Sequence, residues 1–142
     1  VLLVDTNVLI DVLEDDPTWA DWSVRQLRAQ AQVHELLINP VIYSELSLTF
    51  ESVESLDKVI DDMGFSVQEL PRTALFLAGR AFVKYRHGGG KRESVLADFF
   101  IGAHAAVLGC GILTRDARRY RSYFPTVSLL TPEPTAPGSR KN

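Results

Sequence analysis

The chain opens with Val1-Leu2-Leu3-Val4-Asp5-Thr6-Asn7-Val8, an apolar run that passes without alternation into a carboxylate and then a turn. A strand with one wet face alternates apolar and polar residues, whereas a strand covered on both faces does not. The run therefore predicts a buried strand of a parallel sheet, and it constrains the possible folds more than any other stretch. Thr6 and Asn7 are turn and cap formers, and Val8-Leu9-Ile10 resumes an apolar pattern as a short helix. Open parallel sheets bind ligands at the carboxyl ends of their strands, where Asp5 falls. Taken alone, Asp5 has two readings: a site residue, or only a cap for the helix behind it.

A length of 142 residues suits one domain, and a hydrophobic fraction of 46% is enough for a real core. The single cysteine, Cys110, excludes a disulfide framework and a thiolate zinc cluster, and suits a reducing cytoplasm. No stretch reaches the length of a membrane span, and no basic leader is visible at the start. Charge is divided unevenly. Residues 1–71 carry 14 acids and 3 bases, while residues 72–142 carry 4 acids and 12 bases. A basic second half suggests a surface for a polyanion, although the two halves could also neutralise each other or a partner subunit.

Further along, Asp16-Pro17 starts a helix expected over residues 18–32, in which Trp19 and Trp22 read as packing groups rather than base-stacking platforms. Residues 35–38 read as a second strand, ended by Asn39-Pro40. In the helix that follows, Glu45 shares a side with Ile42 and Leu46, an expensive place for a carboxylate unless it is paired, protonated or metal-bound. A helix over 53–63 with Val53, Leu56, Val59, Ile60 and Met63 on one stripe leads to a short strand within 65–70. Residues 72–87 predict a long helix buried along Leu75, Ala78 or Gly79, Phe82 and Tyr85 or Arg86.

The loop 87–92 holds three glycines with Lys91 and Arg92, but it lacks P-loop spacing and follows no strand. It reads as a mobile basic lid near a phosphate backbone or as a plain linker. The next helix is expected to bury Leu96, Phe99, Phe100, Ala103 and Val107, with Asp98 in its first turn, where a carboxylate also suits the helix dipole. His104 has no His or Cys at metal spacing and reads as structural or surface. Residues 111–114 predict a strand ending in Thr114-Arg115-Asp116, followed by a short helix carrying Arg118, Arg119 and Arg121 with Tyr120, Tyr123 and Phe124 interleaved. A last strand is expected at 127–130. The tail 131–142, with its prolines and no apolar pattern, reads as a weakly ordered terminus outside a folded domain of residues 1–130.

Two strands thus end in aspartate, Asp5 and Asp116, and a parallel layout brings Glu45 and Asp98 toward the same edge. Four carboxylates in one cleft repel one another and raise each other's pKa values, a problem that a hard divalent cation removes. Mg²⁺ and Mn²⁺ prefer such oxygen ligands. A carboxylate-held cation beside an Arg-rich rim fits phosphodiester hydrolysis, with Thr114 and Thr6 or Asn7 positioning water and Arg115 neutralising the phosphate. Arg118, Lys91 and Arg92 extend the basic rim.

Several segments resemble the PIN-domain ribonucleases, and within them the VapC toxins of bacterial toxin–antitoxin systems. They are Leu3-Val4-Asp5-Thr6-Asn7-Val8, Glu45 after Pro40, the run from Leu96 to Ala105, Leu113-Thr114-Arg115-Asp116, and Tyr120-Arg121-Ser122-Tyr123-Phe124-Pro125. The likeness covers nearly all of residues 1–130. It implies an α/β fold, a three-layer α/β/α sandwich with a central, mainly parallel sheet. It implies Mg²⁺ or Mn²⁺ held by Asp5, Glu45, Asp98 and Asp116, with Thr114 as the matching hydroxyl residue. It also implies cleavage of RNA such as tRNA or rRNA, a homodimer, and inhibition by a cognate antitoxin crossing the groove. Leu9, Val41, Ile42 and Leu46 are candidates for apolar groove edges or ordinary core, and the helices within 41–62 are candidates for a dimer face.

The rival readings are a DNA-cleaving or 5′ nuclease using the same acids, and a non-enzymatic protein-binding module in which the acids only cap helices. A phosphotransfer receiver is disfavoured, because Asp5 has no acidic neighbour and the last strand carries no lysine.

Overall fold

The computed structural model describes residues 1–90 and 96–132. Its core is a five-stranded sheet of β1 (Leu2–Val4), β2 (Leu36–Ile38), β3 (Ser66–Val67), β4 (Gly111–Leu113) and β5 (Leu129–Leu130), in the order β3-β2-β1-β4-β5. Every pairing is parallel, with Leu3 opposite Leu37 on one side and Ile112 on the other. The expected α/β sandwich with a central parallel sheet is the fold observed. The unalternating first run becomes β1 at the sheet's centre, where all three of its residues are buried.

Seven α-helices complete the described residues: α1 (Thr6–Leu13), α2 (Ala20–Ala31), α3 (Pro40–Leu46), α4 (Val53–Asp62), α5 (Arg72–His87), α6 (Leu96–Leu108) and α7 (Arg118–Tyr123), with a 3-10 turn at Ser47–Thr49. The chain steps outward from β1 to β2 to β3, then returns past both to β4 and steps outward again to β5. Because parallel crossovers are right-handed, this reversal sends the α5–α6 and α7 connections to the face opposite α1–α4. Strand order therefore reverses between β1 and β4, where a crevice opens at the strands' carboxyl ends. Asp5 follows β1 and Thr114 follows β4, so the topology puts both at that crevice.

Helix starts follow the local chemistry. Asn39 caps α3, accepting the Ile42 N–H, with Pro40 at the first position, and Ser52 caps α4 through the Ser55 N–H. Asp16 accepts the N–H groups of Thr18 and Trp19, so it caps a turn, and α2 itself begins later, at Ala20. Trp19 and Trp22 pack edge to face at 6.3 Å, in keeping with a packing role.

Two expected stripes are displaced. On α5 the buried residues are Ala74, Ala78 and Ala81, while Leu75 is 42% exposed. The small alanine face lets α5 approach α6 closely, so the larger leucine is turned outward. On α6 a single stripe is replaced by burial of Phe99 and of every residue from Ile101 to Ala105, while Leu96 and Val107 are exposed at the ends. Phe124 lies directly over Gly102, where a Cβ would come within 2.3 Å of its ring. The strands at 35–38, 65–70 and 127–130 are each shorter than expected, because pairing reaches only part of each apolar run. Lys91 and Arg92, the end of the basic loop, and most of the tail 131–142 lie outside the described residues.

Candidate functional site

A cleft of about 520 Å³ opens at the carboxyl ends of β1 and β4, and Asp5, Glu45, Asp98 and Asp116 all line it. They come from four elements: the end of β1, the last turn of α3, the first turn of α6, and the loop after β4. Thr6, Asn7, Arg115 and Arg118 line the same cleft, as do Arg119, Tyr85 and Tyr123. The residues singled out from sequence therefore meet in one place, apart from Thr114, which lies buried just beneath, and Lys91 and Arg92, which lie outside the described residues.

Asp5 is the most enclosed of the four cleft acids, 5% exposed. Its Oδ1 accepts the Thr6 N–H at 2.7 Å, so it does cap α1. Its Oδ2 accepts the Thr114 hydroxyl and the Tyr120 hydroxyl, each at 2.8 Å. Burial pushes its pKa up from 3.8 to about 6, against the pull of the Tyr120, Thr114 and Thr6 hydrogen bonds, with the Asp98 charge adding to the rise. Burial also holds the Tyr120 hydroxyl protonated well above the ordinary phenol range, helped by the Asp5 charge.

Glu45 accepts the Thr6 hydroxyl, and burial raises its carboxyl pKa, with the Asp98 charge adding to the rise. Asp98 is raised by burial too, and Arg119 opposes this by donating from Nη1 to Oδ2 at 3.0 Å. Asp116 is held below its usual value by Arg118, which donates from Nε and Nη2 at 3.1 Å each. An all-oxygen donor set with three carboxylates raised by burial suits a hard divalent cation, whose charge offsets that burial. Among the described residues, no three His, Cys, Asp or Glu side chains are gathered tightly enough to hold a metal ion. The carboxylates take protein donors instead.

Thr114 is fully buried at the crossing of this network: its hydroxyl donates to Asp5 and accepts from the Asn7 amide at 3.2 Å and the Asp116 N–H at 3.1 Å. Asn7 Oδ1 accepts the Arg115 N–H, which ties α1 to the loop after β4.

Arg115 differs from expectation. Its Nε and Nη2 donate to the two oxygens of Asp11, at 2.7 and 2.9 Å, and its guanidinium lies 5.7 Å from the Trp19 ring. Asp11 is 1% exposed and also accepts the Ser23 hydroxyl. Arg115 is thus a cleft-wall residue with two of its donors already engaged. Sequence reasoning missed Asp11, Tyr120 and Arg119. Asp11 carried the same signal as Glu45, a carboxylate three residues along from buried Val8 on an apolar helix face. Tyr120 and Arg119 lay in a basic, aromatic run with nothing local to separate inward from outward positions.

Of the candidate groove edges, Leu9, Ile42 and Leu46 are buried core, because these short helices turn those residues onto the sheet. Ile10 is the aliphatic residue lining the cleft. His104 is fully buried and accepts the Asn39 amide on Nδ1 at 3.1 Å, a structural contact between α6 and the start of α3.

Residues 2–124 match the PIN domain. The chain belongs to the PIN-domain family. A comparison with curated proteins gave no significant match. Solved structures of similar fold include VapBC2 from Rickettsia felis bound to a DNA fragment of its promoter, with 15% identity, covering 93% of this chain and 98% of that chain, at a TM-score of 0.72. VapBC-1 from nontypeable Haemophilus influenzae has 14% identity, covering 92% and 96%, at 0.69. FitAcB from Neisseria gonorrhoeae has 16% identity, covering 91% and 96%, at 0.64. At these identities the likeness is one of fold. This PIN domain has no helix, among its described residues, long and apolar enough to cross a membrane.

Proposed function

We propose that this PIN-domain protein is a Mg²⁺- or Mn²⁺-dependent endoribonuclease, the cytoplasmic toxin of a type II toxin–antitoxin pair. The observation that carries the reading is the meeting of four carboxylates, from four separate elements, in one cleft with an arginine rim. Asp5, Glu45, Asp98 and Asp116 would hold the cation. A bound cation supplies Lewis acidity and lowers the pKa of the attacking water. Asp5 is kept in place by Tyr120 and Thr114, and Glu45 by Thr6. Thr114, Thr6 and Asn7 would orient water at the cleft floor. Arg115, fixed by Asp11, and Arg118, with its exposed side chain, would meet the RNA phosphates, with Lys91 and Arg92 extending that contact.

Support for a partner comes from the similar folds, which include DNA-bound VapBC2 from Rickettsia felis and a toxin–antitoxin complex from Klebsiella pneumoniae. We assign the antitoxin to the cleft mouth. A homodimer has support in the exposed apolar side chains between α3 and α4, Leu48 at 86% and Val53 at 62%. We also assign the nuclease unit to residues 1–130 and the tail to 131–142.

One observation favours a non-enzymatic binding module: each cleft carboxylate already has a protein donor. The two readings separate in one assay. Total RNA and a DNA duplex are incubated with wild type and Asp98→Asn, each with Mn²⁺ or EDTA. Cleavage of RNA by wild type with Mn²⁺ alone supports the ribonuclease. Cleavage of DNA in preference moves the assignment to the DNA or 5′ nuclease class. Equal results for both proteins, or no cleavage, leave the binding module as the better account.

A further inference from the structure

Three arginines line the cleft, and each is held differently. Arg115 is locked by two hydrogen bonds to buried Asp11, an acid that does not line the cleft. Arg118 grips Asp116, but its side chain is 89% exposed, where solvent and salt leave such a pair worth little. Arg119 alone joins a half-buried cleft carboxylate by one hydrogen bond, from Nη1 to Asp98 Oδ2 at 3.0 Å, with the two side chains 33% and 34% exposed. Its guanidinium also lies 5.5 Å from the ring centre of Tyr85, another cleft residue. It therefore keeps a favourable contact beside the cleft once Asp98 is given up.

We propose that Arg119 is an exchangeable counter-ion, holding Asp98 in the cation-free protein and giving it up to the substrate phosphate side of the cleft when a divalent cation enters. The inference rests on the metal-dependent reading above and deepens it. Asp5, Glu45 and Asp98 line one cleft, and the Asp98 charge acts unfavourably on the other two, so the cation-free cleft gains from a positive group of its own. A divalent cation beside Asp98 takes over that role and repels the guanidinium, so binding of the cation and the Arg119–Asp98 pair oppose each other. Arg119 is then left facing the cleft, unpaired, at the moment a polyanionic backbone arrives. The same side chain thus tempers cation affinity and contributes substrate affinity. In this scheme Arg119 is a positioning residue toward the cation and a contact residue toward the RNA.

The test is Mn²⁺ titration by calorimetry, with Mn²⁺ electron paramagnetic resonance as a second measure, on wild type, Arg119→Gln and Arg119→Lys, alongside KM for an RNA substrate. Arg119→Gln is expected to bind Mn²⁺ at least about fivefold more tightly, while its KM for RNA rises. Arg119→Lys, which keeps the charge, stays near wild type in Mn²⁺ affinity and confirms that the substituted site folds. A purely structural role moves both quantities the same way or neither. Unchanged or weaker Mn²⁺ binding by Arg119→Gln overturns the exchange, and tighter binding with unchanged KM overturns the transfer to substrate. Absence of Mn²⁺ binding in all three proteins overturns the metal-dependent reading itself, and this inference with it.

Discussion

Tyr120 donates its hydroxyl hydrogen to Asp5 Oδ2 at 2.8 Å, joining α7 to the end of β1 across 115 residues of chain. Asp5 is the cleft acid with the least access to water, so a fixed donor on its far oxygen bears on how readily it ionises. Without that donor, burial acts less opposed. Tyr120→Phe keeps the ring and removes the bond, which should cost about 1–3 kcal/mol of stability. The Asp5 pKa should climb further above about 6, carrying the acidic limb of the cleavage pH profile upward. Denaturant unfolding and a pH–rate series check both, and a profile that stays in place counts against the coupling.

Asp5→Asn tests the electrostatic cost directly. The folded pKa is raised from 3.8 to about 6, so the stabilising contribution is fully present below 3.8 and is lost as pH rises through 6. Fully ionised, the buried carboxylate should cost the cation-free protein about 3 kcal/mol. In EDTA, Asp5→Asn should therefore gain stability on wild type between pH 4 and pH 7.5, and with Mn²⁺ it should lose cleavage activity. Urea unfolding at the two pH values measures the difference, and a variant that loses ground to wild type as pH rises contradicts the assigned direction.

Arg115 and Arg118 should separate sharply in stability. Removing Arg115 leaves Asp11, 1% exposed, as an uncompensated buried charge, at a cost of about 3 kcal/mol or more. Arg118→Ala breaks only an exposed pair and should leave stability nearly unchanged. Thermal unfolding of the two variants side by side ranks them. Asp11→Asn combined with Arg115→Ala should recover part of the larger loss, because the stranded charge is gone.

Gly102→Ala replaces a weak helix former with the best one, which alone would favour α6 by about 1 kcal/mol. The new Cβ would sit 2.3 Å from the Phe124 ring, and overpacking of that kind costs about 1–3 kcal/mol. A net loss of stability is expected, relieved by Phe124→Leu in the same chain. A gain from Gly102→Ala alone would mean that Phe124 moves aside freely.

Much of the candidate site was legible in the chain because its signals are local. Asp5 and Thr114-Arg115-Asp116 each end an apolar run, and a strand end in a parallel sheet lies at the functional edge whatever the neighbours are. Asp98 and Glu45 stood out as carboxylates at helix positions with a distinct cost or benefit. The first run also determined the fold class, since an unalternating strand requires cover on both faces. Tertiary structure decided the rest. Helix stripes on α5 and α6 depended on which face a neighbouring helix approached, and close approach selected Ala74, Ala78 and Ala81 over Leu75. The partners of the arginines were decided in the same way. A guanidinium at the end of a long side chain reaches several acids, and only packing determined that Arg115 meets Asp11 while Arg119 meets Asp98.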